Sequence, residues 1–190
     1  MFDPTKPPEQ GENCPFCTIA AVHSVYDPAS PPATIDSELT TPSSFLVLST
    51  PTIMAFLDIL PLSRGHVLVC PRTHRPKLTD TTPQEAAALG EQVRVLSEAV
   101  ARATGVHDWN IVQNNGAAAA QVVPHVHYHL IPRPEIRASG RFRESFTMFG
   151  RGQREELDDE EAAKLAAEIR KHIADVIRED RGEVVIKSKL

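Results

Sequence analysis

The chain has 190 residues, 41% of them hydrophobic and 24% charged, the balance of one ordinary globular domain of roughly 100–200 residues. That composition excludes collagenous, low-complexity and largely disordered chains. A formal net charge of −5 gives no global basic field for wrapping nucleic acid, so any anion site has to be local. No apolar run approaches the roughly 20 residues that span a bilayer. The opening MFDPTKPPEQ lacks the apolar core of a signal peptide, so a soluble, non-secreted protein is expected. Three cysteines are an odd count, which argues against a disulfide framework and for a reducing compartment.

In chain order, residues 1–12 are expected to form a loose tail and residues 27–43 an exposed insert loop. Pro4, Pro7 and Pro8 punctuate the first, and Pro28, Pro31, Pro32 and Pro42 the second. Between them CTIAAVHSV reads as a short helix. The β-rich runs SFLVLST, TIMAFLDI and GHVLVC then predict three adjacent strands. Residues 82–104 switch to helical period: Thr82 is the N-cap, Pro83 opens the helix and Glu85 completes a capping box. Leu89, Val93, Leu96 and Val100 form the apolar stripe, and Gly105 is the stop. DWNIVQN predicts a strand, NNGAAAAQ a loop and VPHVHYHLIP a last strand.

Residues 133–154 carry Arg133, Arg137, Arg141, Arg143, Arg151 and Arg154 against only Glu135 and Glu144, a basic loop in an acidic chain. A C-terminal helix over 157–180 places Leu165, Ile169, Ile173, Val176 and Ile177 on one face, with acids at its start where the helix dipole favours them. Residues 181–190 are a tail. The fold class is therefore α+β: one domain over 13–180, an antiparallel five-stranded sheet with one central helix and an additional C-terminal helix.

The chemistry concentrates in His125-Val126-His127-Tyr128-His129-Leu130-Ile131. On a strand, alternate side chains share a face, so the three histidines would line one surface while Val126, Tyr128 and Leu130 pack inward. Such a row can ligate a catalytic metal, or one neutral imidazole can attack phosphorus directly. Asn114, Asn115, Gly116 and Gln121 supply neutral polar groups nearby, and the basic loop can neutralise phosphate oxygens. No carboxylate cluster accompanies the histidines as a two-metal phosphatase would need, which favours the histidine nucleophile.

HVHYHLI at 125–131, together with AFLDILPLSRGHVLVCPRTH at 55–74, resembles the histidine triad (HIT) superfamily of nucleotide hydrolases and transferases. The likeness covers residues 12–135, with features both of the Hint-like branch and of the fragile-histidine-triad branch. It implies that His127 forms a covalent nucleotidyl-histidine, that His129 contacts phosphate oxygens and that His66 supports the nucleophile's ring. It further implies that Asp58 holds the ribose hydroxyls and that Asn114 contacts the leaving side of the phosphate, with Gln121 also in the nucleotide site. The implied substrate is a purine nucleotide substituted on its α-phosphate. An adenosine 5'-phosphoramidate comes first, a dinucleoside polyphosphate next, and a nucleotide sensor with weak turnover is the alternative from another class. A homodimer is also implied, with no nucleic-acid partner, no membrane and no organic cofactor. Where many members carry Ser or Thr after the glutamine, this chain has Val122, which puts protonation of the leaving group in question.

Cys14-Pro15-Phe16-Cys17 is by itself equally a redox pair, two incidental thiols or half a metal site. The resemblance implies a structural zinc held by Cys14, Cys17, His74 and His125, a donor set that suits zinc. The last residues, Ser188-Lys189-Leu190, read as a peroxisomal address, which makes the peroxisomal import receptor an expected partner, with a cytoplasmic or nuclear location as the alternative. A fluorescent fusion that keeps the free C-terminus is expected to collect in peroxisomes and to disperse when Leu190 is deleted. Cytosolic fluorescence in both would overturn the address.

Overall fold

The three apolar runs that follow the insert loop become β1 (Leu46–Ser49), β2 (Ile53–Leu57) and β3 (Val67–Pro71), and the later runs become β4 (Trp109–Gln113) and β5 (Tyr128–Pro132). They form one five-stranded sheet in the order β1-β2-β3-β5-β4, with every pair antiparallel. The computed structural model describes residues 14–134 and 158–183. The tail 1–12, most of the basic loop 133–154 and the terminal Ser188, Lys189 and Leu190 lie outside the described residues.

Among the described residues three α-helices cover the sheet: α1 (Pro15–Val22), α2 (Pro83–Thr104) and α3 (Asp159–Asp180). α2 begins where its capping box predicts, with Glu85 N–H donating to the Thr82 hydroxyl at 3.1 Å and Thr82 N–H to the Glu85 carboxylate at 2.7 Å. It ends on Gly105 in the left-handed conformation (φ 68°). α3 starts from Asp158, which accepts from Glu161 N–H at 2.9 Å.

β2 and β3 are buried along their whole length because both faces are covered, which is why they read as continuous apolar runs rather than alternations. Ile53, Ala55 and Leu57 with Val67 and Val69 pack on Leu89, Leu96, Val100, Ile169 and Ile173 from α2 and α3. Met54, Phe56, Leu68 and Cys70 face the other way, onto Phe16 and Ile19 of α1. The two-helix face is the larger core, and the α1 face carries the chemistry.

The last strand is shorter than expected. His125 N–H turns back to Val123 O at 2.8 Å, Val126 N–H goes to Arg75 O at 2.6 Å, and Pro124 has no N–H to give. The β3–β5 ladder therefore starts at Val69 and Tyr128. His125 and His127 precede the strand, so of the three histidines predicted to alternate along it only His129 lies in it. His129 stands opposite Leu68 in the ladder.

Between β2 and β3 the hairpin loop is closed by Asp58 N–H donating to His66 O at 2.9 Å, which sets these two residues face to face. Gly65 in this loop has φ 86°, and a Cβ on it would stand 2.6 Å from the Thr104 methyl. Only glycine fits where the loop passes over the end of α2.

Candidate functional site

His127 is 6% exposed, and its Nδ1 lies 2.6 Å from the carbonyl oxygen of His125. A carbonyl accepts, so Nδ1 carries the proton and Nε2 keeps its lone pair. Burial holds the ring's pKa below the usual histidine value, against the pull of that hydrogen bond and of Asp58. A neutral imidazole with a free Nε2 is the form that attacks an electrophile.

Beside it runs a line of three side chains. His129 meets His127 with ring centroids 4.8 Å apart, His66 Nε2 is 3.0 Å from His129 Nδ1, and Asp58 Oδ2 is 3.4 Å from His66 Nδ1. Leu62 N–H donates to that same Nδ1 at 3.2 Å, so the neutral His66 carries its proton on Nε2 and gives it to His129. Asp58 also accepts from Leu60 N–H at 2.9 Å. His66 thus stands against His129, and the His125 carbonyl against His127.

The two paired cysteines meet two histidines. Cys14 Sγ and Cys17 Sγ lie 3.4 and 3.7 Å from His125 Nδ1, and Cys17 Sγ lies 3.3 Å from His74 Nδ1. The four ligand atoms fall within 4.8 Å of one another. A tetrahedral zinc with bonds of about 2.3 Å to sulfur and about 2.0 Å to nitrogen sets such ligands about 3.6 Å apart. His125 Nε2 donates to Pro71 O at 2.8 Å, which leaves Nδ1 unprotonated toward the sulfurs, the outer hydrogen bond that metal-binding histidines need. Without a cation this cluster is a poor place for charge. Burial pushes the Cys17 thiol up to about 12, with the neighbouring Cys14 adding to the rise, and burial lowers His125 to about 4. A divalent cation reverses both tendencies by favouring thiolate and neutral imidazole. His74 is brought to this place by its neighbour Arg75, whose guanidinium binds the Glu85 cap of α2 at 2.9 Å and whose carbonyl takes Val126 N–H.

Gln121 is 4% exposed and its amide is committed to the backbone. Its oxygen accepts from Gly116 N–H at 2.6 Å and its nitrogen donates to Pro76 O at 2.7 Å. These two bonds shape the loop ahead of the histidines. Val122 next to it is 64% exposed. Asn114 sits half-buried at the end of β4, and its carbonyl accepts from Gln113 at 2.8 Å. Sequence reasoning missed Phe16, whose ring stands edge-on to His127 at 5.2 Å; its only signal was an aromatic residue inside the cysteine pair. It also missed Arg72, which donates to Ala20 O, to His23 O at 2.8 Å and to Ser49 Oγ at 2.8 Å, and so ties the end of α1 to the sheet.

The HIT domain family model matches residues 40–136, and the chain belongs to the histidine triad family. An adenylylsulfatase of Arabidopsis thaliana is 38% identical over 129 residues, 66% of this chain and 61% of the relative. An adenosine 5'-monophosphoramidase of Schizosaccharomyces pombe is 42% identical over 81 residues, 43% of this chain and 58% of the relative. The matched stretch thus spans about three fifths of the length of these two relatives. Among solved structures, a zinc-bound histidine triad family protein from Mycobacterium smegmatis aligns over 91% of this chain and 99% of its own, at 27% identity and a TM-score of 0.61.

Metal analysis of the purified chain is expected to find one zinc per chain, and Cys17→Ser to lose it together with several degrees of thermal stability, since a ligand bound only to the folded state adds its binding energy to folding. A metal-free protein of unchanged stability would end the assignment.

Proposed function

We propose that the chain is a nucleotide hydrolase that acts on the α-phosphate through a covalent nucleotidyl group on His127. The observation that carries this is the fixed proton on His127 Nδ1, 2.6 Å from His125 O, which leaves Nε2 as the attacking atom. Its lone pair forms a bond to the α-phosphorus, and the bond to the leaving group breaks with its electron pair. The proton on the outer nitrogen of His129, relayed from His66, faces the oxygens that gain charge. Water then attacks the nucleotidyl-histidine, the phosphorus–nitrogen bond breaks, and a nucleoside monophosphate departs while the imidazole recovers its lone pair. Zinc at the cysteines supplies no part of this chemistry; the cluster's four protein ligands form a closed set of the structural kind.

The leaving group decides the substrate. A phosphoramidate, the class first expected, departs as an amine and needs a proton. Val122 has no hydroxyl, and the Gln121 amide, one of whose two N–H groups goes to Pro76 O, is too weak an acid to give up a proton. A sulfate departs as the anion of a strong acid and needs none, and the adenylylsulfatase relative is 38% identical over 129 residues. The site therefore supports adenosine 5'-phosphosulfate above adenosine 5'-phosphoramidate, with dinucleoside polyphosphates, whose leaving groups are also anions, as the third class.

The exposed side of β4 supports a second copy as partner. At the other edge of the sheet β1 is covered, by Tyr26 N–H on Ser49 O at 3.0 Å and Arg170 on Leu46 O at 2.7 Å. Among the described residues no segment pairs with the outer edge of β4, and its Trp109 and Ile111 are each 40% exposed. An open apolar edge invites pairing. Light scattering is expected to give twice the chain mass, falling to one chain for Ile111→Glu; a wild-type monomer at micromolar concentration would overturn this.

For the chemistry, release of AMP is to be read across the sulfate, phosphoramidate and diadenosine substrates. The sulfate is expected to turn over fastest. Val122→Ser is expected to raise phosphoramidate turnover by at least about tenfold, in line with a supplied proton donor, and to leave the sulfate rate nearly unchanged. An equal gain on both would contradict the leaving-group argument. Tight AMP binding with no release from any substrate would mark a sensor instead.

A further inference from the structure

Arg170, on the inward face of α3, is 5% exposed. Its Nη1 donates to Leu46 O at 2.7 Å and its Nη2 to Ala33 O at 3.4 Å, the second near the outer limit of a hydrogen bond. Its Nε–H is buried and has no partner among the described residues. Arg75 and Arg102 each hold a carboxylate, whereas among the described residues Arg170 has two neutral carbonyls and no ion pair.

Burying a charge is costly unless an opposite charge or a full set of hydrogen bonds answers it. Arginine does not escape that cost by shedding its proton. Burial lowers its pKa, and the group that acts against this is the Tyr26 phenol, which burial pushes up and keeps uncharged. The described residues thus leave a buried cation short of one negative charge and one acceptor.

The same side chain lines a cavity of about 110 Å³ between α3, the insert loop and the start of β1. Thr34 and Ala163, both exposed, mark its mouth, and Phe45 and Ala166, both buried, its floor. Apart from the guanidinium and the hydroxyls of Thr34 and Ser37, the side chains that line it are apolar, and none is acidic. An apolar cavity of about 150 Å³ admits benzene, so a ligand of a few heavy atoms fits here. The site lies at the β1 edge of the sheet, with β2 and β3 between it and the strand of His129.

We propose that this cavity binds a small monocarboxylate with a short hydrocarbon chain, its carboxylate on the Nε–Nη2 edge of Arg170 and its chain against Phe45 and Ala166. A carboxylate takes two parallel N–H bonds from that edge, the one the chain leaves least engaged. One buried cation is answered by one negative charge, and the apolar lining suits the hydrocarbon. A phosphate dianion would reverse the imbalance and find two hydroxyls as its further donors. The bound acid would join the insert loop to α3, where Arg170 and Arg178 already hold the carbonyls of Ala33 and Ala29.

The experiment titrates the full chain, labelled with nitrogen-15 arginine, with butyrate, with its neutral isostere butyramide and with inorganic phosphate. The Arg170 Nε–H signal, identified by its loss in Arg170→Lys, is expected to shift saturably with butyrate. Butyramide is expected to bind at least about tenfold more weakly, the scale of a hydrogen bond that gains a charge, and phosphate not to compete. Ala167→Leu, which fills the cavity from α3 and keeps the guanidinium, is expected to abolish the shift with the backbone signals of β2 and β3 in place. Should Arg170→Lys fail to fold, the butyrate–butyramide ratio and Ala167→Leu decide. Equal affinity for acid and amide would overturn the proposal, as would phosphate binding more tightly than butyrate. So would butyrate binding retained in Ala167→Leu, or an Nε–H signal that butyrate does not move.

Discussion

His125 faces two ways, and the site depends on that. Its ring nitrogen Nδ1 stands 3.4 Å from Cys14 Sγ, its other nitrogen is held by Pro71 O at 2.8 Å, and its backbone carbonyl takes the proton of His127 at 2.6 Å. A residue buried to this degree, with no measurable exposure, has few other arrangements open to it. Its side chain defines a structural cluster and its main chain defines the reactive tautomer two residues on. The first histidine of the triad thus touches the cluster with its ring and the second histidine with its backbone.

The sheet supplies the rest of the constraint. Because α2 and α3 cover one face, the other is left to α1 and the histidines, so the reactive groups sit against a floor already fixed by the larger core. Asp58 and His66 come from opposite ends of one hairpin loop, and His129 from the strand beside it. Three segments distant in sequence thus place a carboxylate and two imidazoles in contact, with a third imidazole alongside. A substitution in α2 or α3 that shifted β3 against β5 would be felt first in the 3.0 Å contact between His66 and His129.

Much of this was legible in the sequence, for physical reasons that can be named. The start of α2 was readable because Thr82, Pro83 and Glu85 form a local capping pattern that tertiary contacts had no cause to override. The five strands and the two long helices followed from apolar period. The cysteine pair with His74 and His125 came together as the family resemblance implied. What was not legible depended on backbone hydrogen bonds between distant segments. The early end of β5 at Tyr128 is set by Val126 bonding to Arg75 O, which no local pattern announces. The partner of His66 could not be read either, since alternation along one strand says nothing about which imidazole a hairpin loop will meet. The hydrogen bonds of Gln121 with Gly116 and Pro76 are likewise visible only once the loop is folded.

The central claim is that His127 attacks phosphorus through Nε2 and carries the nucleotide between two steps. Rapid quenching of the full chain with a substrate labelled at the α-phosphate, followed by mass analysis of the peptide around residues 125–129, tests it directly. The account predicts one nucleotidyl group per chain, bonded to His127, that disappears as AMP is released and is absent in a zinc-retaining His127→Ala protein without turnover. A nucleotidyl group on His129 instead, or turnover persisting in His127→Ala, would contradict it.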